Sequence, residues 1–187
     1  MIRFLPRFVV PRIRVIRVPE GDRGTMVTAG IIARLMKEGA RDFYVRQKAI
    51  EVLRCYGVRP KDRLGEACAL LDFVRRRIRY TRDIFGVELL HTPRRLLEVG
   101  AGDCDDVSIL LGAMLLSVGH PVRLVLAGYR PAKPHRYTHI YPEVNVWGRW
   151  LAADPTLPHP LGWEPRVLWK SVCELGKEGL KCWRKTR

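Results

Sequence analysis

The sequence predicts an α+β fold, with helices first and an antiparallel sheet after them. Three observations carry this. Apolar residues recur at helical spacing as far as Ile78. The stretch from Val122 to Ala153 alternates apolar and polar residues and turns back at Trp147-Gly148-Arg149. Between them a glycine-led segment, Gly100-Ala101-Gly102, opens an apolar run headed by Cys104.

The elements follow in order. Residues 1–19 place β-favouring Phe4, Phe8, Val10, Ile13, Val15 and Ile16 among Pro6, Pro11 and Pro19, which suits an edge strand or a partner-binding arm rather than a central strand. Thr25 is a candidate cap for a helix over Met26 to Lys37, with Val27, Ile31, Ile32 and Leu35 inward and Gly39 as its stop. Asp42 caps a second, Phe43 to Cys55, burying Val45, Ala49, Val52 and Leu53. A third covers Arg63 to Ile78. Tyr80 to Pro93 reads as irregular connection, and a fourth helix spans Cys104 to Val118, ended by Gly119. Val122 to Ala127 is a strand; Thr138 to Val146 and Trp150 to Ala153 form a hairpin. Arg166 to Trp183 is a helix candidate interrupted by Gly176 and Gly179. The organisation expected is a basic arm over 1–23, a catalytic domain over 24–163 and a basic tail over 164–187.

At 187 residues one domain with appended arms is expected, and no apolar run reaches the roughly 18 residues of a membrane span. The start of the chain lacks the apolar core of a secretory signal, so a cytoplasmic location is expected. The five cysteines include no C-x-x-C pair, which argues against a disulfide framework and a zinc finger; reduced thiols are expected. A net charge of +15 suits a polyanionic neighbour or solubility. The densest cluster, Arg75, Arg76, Arg77, Arg79 and Arg82, reads first as a solvated helix end whose dipole favours cations; a nucleic-acid contact is the weaker reading.

Cys104 is the centre of the chemistry. A thiol at a helix start meets unpaired N–H groups and the positive dipole end, both of which favour thiolate, and those N–H groups can also bind an oxyanion. Asp105 and Asp106 offset part of that effect, so a basic partner is required. Cys55, Cys68, Cys173 and Cys182 fit better as small buried hydrophobes. His139 opens the first hairpin strand, and Asp154 follows the return strand. Cross-strand pairing can bring them together as base and orienter. His120 is expected to face solvent, His135 is the rival base, and His91 and His159 adjoin proline turns. A metal bound by Cys104, His139 and Asp154 is a lesser alternative; no metal or cofactor is called for.

Gly102-Asp103-Cys104-Asp105-Asp106 at a helix start, Gly119-His120-Pro121-Val122-Arg123, His139 in a strand and Trp150-Leu151-Ala152-Ala153-Asp154-Pro155-Thr156 together resemble the transglutaminase-like superfamily, over about residues 60–163. Ile78-Arg79-Tyr80, Gly86-Val87-Glu88 and Leu161-Gly162-Trp163 are similar to small transglutaminase-like proteins of phages and prophages. The resemblance implies a papain-like fold with Cys104 as nucleophile, His139 as base and Asp154 as orienter. Tyr141 keeps the aromatic that many relatives have two residues after the His. Glu98 stands at the offset where papain-type proteases carry an oxyanion-donating Gln, and Tyr80 is a substitute donor. The expected reaction is thiol-dependent acyl transfer on an amide or peptide bond, with hydrolysis favoured over amine transfer. The alternative is a non-catalytic component of a phage particle or its assembly that keeps the fold for binding. The partners expected are a protein or peptide substrate, phage structural proteins through the basic ends and, more weakly, nucleic acid, with no membrane; incorporation in a phage particle is a further possible location.

Overall fold

The computed structural model describes residues 13–82, 89–129, 137–176 and 179–185. Five helices, α1 (Asp22–Arg41), α2 (Phe43–Cys55), α3 (Arg63–Arg77), α4 (Pro93–Val99) and α5 (Cys104–Ser117), combine with strands β1 (Arg79–Tyr80), β2 (Ala101–Gly102), β3 (Val122–Gly128), β4 (His139–Val146), β5 (Arg149–Ala152), β6 (Trp169–Gly176) and β7 (Gly179–Lys185). The main sheet is antiparallel throughout, in the order β5-β4-β3-β6-β7. The α+β class read from the sequence is the fold observed. Among the described residues no helix is long and apolar enough to cross a membrane.

Helix α5 is the centre of the core, buried at every position from Asp105 to Leu115. Its run of Ile, Leu, Met and Ala lets it pack against α1 to α4 on one side and the sheet on the other. The approach of α1 is close: a Cβ on Gly112 would lie 1.8 Å from the Met36 methyl carbon. Strand alternation divides the sheet. Leu124, Leu126, Ile140, Val144 and Cys173 join the helical core, whereas Val125, Ala127, Tyr141, Ala152 and Val167 form a second apolar cluster on the far face.

That far face also holds a charge network. The Glu143 carboxylate accepts from Arg123 at 2.6 Å and from Lys170 at 2.9 Å. Arg123 lies over the Trp150 ring at 4.2 Å. Glu164 accepts from Lys170 and from the Tyr141 hydroxyl. Because the cations outweigh its burial, Glu143 is held below the usual carboxylate range.

Several expectations need correction. Helix α1 starts earlier than Thr25, with Gly21 at its N-cap and no side-chain cap, and runs past Gly39. Its buried stripe is Gly24, Thr28, Ala29, Ile32, Ala33, Met36 and Gly39, while Val27 is exposed; close packing on α5 selects small residues over large ones. Residues 13–19 join no strand. Helix α4, capped by the Thr92 hydroxyl with Pro93 in its first turn, occupies a stretch where no element was expected. The expected helix over Arg166 to Trp183 is the β6–β7 hairpin, with Gly176 and Gly179 paired across its turn. Cys173 and Cys182 face each other on those strands and are joined by a disulfide, contrary to the expectation of reduced thiols. Cys55 and Cys68 are exposed, not core. His120 is buried rather than solvent-facing, because Glu66 on α3 meets its Nε2 at 2.9 Å. The arm before residue 13, Gly86-Val87-Glu88 and His135 lie outside the described residues.

Candidate active site

The site forms where the start of α5 meets the start of β4. Strand β5 pairs with β4 only from Glu143 to Val146, leaving the beginning of β4 open on that side. Helix α5 takes up the main chain there. Ser108 donates its hydroxyl to the Ile140 carbonyl at 3.0 Å, and the Ile140 N–H is near enough to the Cys104 sulfur to favour its thiolate. The thiol is thereby held against the residue that follows His139.

His139 lies between Tyr129 and Tyr141, with ring centroids at 6.2 and 5.6 Å. Its Nε2 lies 2.6 Å from Asp154 Oδ2. The hairpin explains the meeting: β5 returns antiparallel beside β4, and Ala153 donates to the Pro142 carbonyl at 2.9 Å, which sets Asp154 down next to the start of β4. Thr156 holds the other carboxylate oxygen through its N–H at 2.9 Å and its hydroxyl at 2.7 Å. Burial works to raise the Asp154 pKa, but the bonds and charge of His139 and the Thr156 donors outweigh it and hold the carboxyl below its ordinary range. With Nε2 turned to Asp154, Nδ1 is the nitrogen left to exchange a proton elsewhere.

The electrostatics at Cys104 differ from the sequence reading. Burial, then the negative charges of Asp105 and Asp103, push its pKa well above that of a free thiol; the Ile140 N–H opposes them without prevailing. The thiol lies 3.3 Å from Asp105 Oδ1 and donates to it. The helix N-terminus is also partly used up, since Asp103 Oδ1 accepts from the N–H groups of Asp105 at 2.9 Å and Asp106 at 3.2 Å. Two of the N–H groups expected to receive an oxyanion are thus spent on the cap. Asp103, Cys104 and Asp105 each offer a ligand atom within 4.8 Å of the others, but two of those groups already serve as cap and thiol acceptor.

Asp106 is fully buried and accepts from the His91 N–H at 2.7 Å, with its other oxygen 2.9 Å from His91 Nδ1. It packs so tightly on β2 that a Cβ on Gly102 would lie 2.5 Å from its Oδ2. His91, set aside in the sequence as a turn residue, therefore anchors the approach to α4 against α5. His159 instead stacks on Trp163 at 3.6 Å. Glu98 does not reach the thiol: it is exposed on α4, paired with Arg94 and Arg95. Tyr80 does come near. Its strand pairs in parallel with β2 at Gly102. Burial first, then a thiolate at Cys104 and the charge of Asp103, raise the pKa of its phenol, which remains an O–H donor. The arginine cluster divides: Arg76 is exposed beside Asp72, Arg77 donates to the Leu97 carbonyl at 3.2 Å, and Arg75 donates to the Asp154 carbonyl at 2.7 Å.

A mixed fold in which a cysteine heads the central helix against an antiparallel sheet defines a papain-like class of protein. Residues 55–155 match the model of the transglutaminase-like superfamily, and the chain belongs to that family. No curated protein matches the sequence. Among solved structures, the chain is similar to a proposed protease from Parabacteroides distasonis (TM-score 0.58, 11% identity, covering 88% of this chain and 34% of that one). It is also similar to a proposed cysteine protease from Cytophaga hutchinsonii (0.51, 14%, 84% and 57%). EGTA-treated LapG from Legionella pneumophila is a third likeness (0.51, 16%, 83% and 86%). The chain spans about a third of the first and little more than half of the second. At these identities the likeness is one of fold.

Proposed function

We propose that this protein performs thiol-dependent acyl transfer on an amide or peptide bond, with Cys104 as nucleophile, His139 as base and Asp154 as orienter, and water as the acceptor. The observation that carries the reading is the 2.6 Å bond between His139 Nε2 and Asp154 Oδ2, formed one residue from Ile140, whose carbonyl is held by Ser108 of the helix that Cys104 heads. Asp154 fixes the imidazole so that Nε2–H is donated and Nδ1 carries the lone pair.

The elevated thiol sets the route. A standing thiolate–imidazolium pair is disfavoured by burial and by Asp103 and Asp105. The thiol proton therefore passes to His139 Nδ1 as sulfur attacks the carbonyl carbon. Collapse of the tetrahedral intermediate returns that proton to the leaving amine and leaves a thioester on Cys104. Water, deprotonated by His139, then releases the acid and restores the thiol. Tyr80 supplies an O–H donor to the intermediate's oxyanion, the role that the exposed Glu98 cannot fill. A protein or peptide substrate fits the proteases that share the fold. A phage or prophage setting belongs to the same proposal and rests on the local sequence likeness alone.

The test is an electrophilic probe read by mass spectrometry, alongside hydrolysis of a peptide library. Labelling of Cys104 in preference to exposed Cys55 and Cys68, lost in His139→Ala, supports the reading. Full amide cleavage by Cys104→Ala would overturn it and favour a binding protein that keeps the fold.

A further inference from the structure

We propose that Arg75 is a positioning residue for the Asp154–His139 pair, clamping the main chain of Asp154 and setting a fixed cation behind its carboxylate. The proposal rests on the triad reading for its catalytic meaning, though not for its geometry.

Arg75 lies near the end of α3, in a run that the sequence presents as a solvated basic helix end. Arg76, next to it, behaves in that way, exposed and ion-paired with Asp72 one turn back. Arg75 instead reaches 79 residues along the chain to donate from Nη2 to the Asp154 carbonyl at 2.7 Å. Its Nε is buried without a hydrogen-bond partner. A buried guanidinium N–H left unmet is costly, so the side chain is held there by what its other end does.

That end completes a three-sided hold on Asp154. His139 takes one carboxylate oxygen, Thr156 takes the other with two donors, and Arg75 takes the backbone carbonyl. A carboxylate that orients an imidazole must not swing; fixing its main chain as well as both oxygens removes the remaining freedom. The charge acts in the same sense. Burial works against the Arg75 charge, and the carboxylates of Asp154, foremost, and Asp72 support it. The groups facing Asp154 are His139, Thr156, Tyr129 and Arg75. Arg75 is the permanent cation among them, and its charge favours the ionised carboxylate in either protonation state of His139. The planar fork matters too, since a lysine would keep the charge but not the geometry.

Two variants separate clamp from charge, and NMR reads both without any need for turnover. In Arg75→Gln the ¹³C titration of the Asp154 carboxyl moves up by roughly half a pH unit, and the proton shared by His139 and Asp154 shifts and broadens. In Arg75→Lys the Asp154 midpoint stays near that of the parent protein while the shared proton still broadens. If the glutamine variant does not fold, the lysine variant decides alone. Unchanged Asp154 titration and an unchanged shared-proton signal in the folded variants would overturn the proposal. A protein inert towards every amide, yet showing these shifts, would instead remove the catalytic reading and leave the positioning role standing.

Discussion

The Cys104 thiol donates to Asp105 Oδ1 at 3.3 Å, so the proposed nucleophile rests as a protonated donor to its own neighbour in the chain. Burial and the adjacent carboxylates hold the proton on sulfur. Asp105→Asn removes one negative charge and the best acceptor while preserving shape. Alkylation of Cys104 by iodoacetamide at pH 7 is expected to speed up about tenfold, the equivalent of one unit in thiol pKa. Labelling rates measured from pH 6 to 10 check this; an unaltered profile would show that Asp105 has no hold on the thiol.

Tyr80 is the second point of test. It is half-exposed and paired through its strand to Gly102, and burial, then a thiolate at Cys104 and the charge of Asp103, raise its pKa. Tyr80→Phe deletes the donor and keeps the ring. If the phenol binds the oxyanion, kcat falls by about a hundredfold with little change in KM. A rise in KM at constant kcat would instead make Tyr80 a substrate-binding wall.

These two sites show what could be read from the sequence and what could not. The His139–Asp154 pair was legible because it needs only local rules: a strand start, a two-residue turn and an antiparallel return. The state of Cys104 was not, because helix position argued for thiolate while burial and the direction of the Asp105 side chain decide for thiol. His120 failed similarly: a residue after a helix-ending glycine looks exposed until Glu66, 54 positions away, buries it. In the β6–β7 segment, Lys, Glu and Leu left local propensity ambiguous. The open edge of β3 settled it, pairing with β6 from Arg123 to Gly128. The reach of Arg75 to Asp154 had no local signal at all.

The far face of the sheet predicts an acid limit to stability. Glu143 and Asp154 both titrate below their ordinary values in the folded chain. Groups depressed in this way contribute stability above their unfolded values, about 4.3 and 3.9, and lose it as pH falls through the lower folded ones. Thermal unfolding should therefore be nearly flat from pH 7 to about 5 as far as these groups are concerned, then decline steeply below about 4. Glu143→Gln leaves Arg123 and Lys170 without their shared anion and should cost about 3 kcal/mol at pH 7. As pH falls through the folded value of Glu143, the variant and its parent should converge. Circular dichroism melts across that range decide it; a constant offset at every pH would mean that the loss is packing rather than charge.

Cys173 is fully buried and bonded to Cys182 across β6 and β7, closing a short loop of sequence separation 9. Chain-entropy arguments give a loop of this length about 2–3 kcal/mol of stabilisation. The bond also ties β7, the outermost strand on that side, to the strand that pairs with β3. Cys182→Ser should lower stability by that amount and free amide exchange in β7 first, because the lost restraint lies at the sheet edge, whereas β3 and β4 beside His139 keep their protection. Cys173→Ser places a hydroxyl in the core as well and should cost more. Exchange mass spectrometry of the two variants distinguishes the terms: equal losses would mean that the disulfide alone matters, and early exchange in β4 would mean that the hairpin supports the site directly.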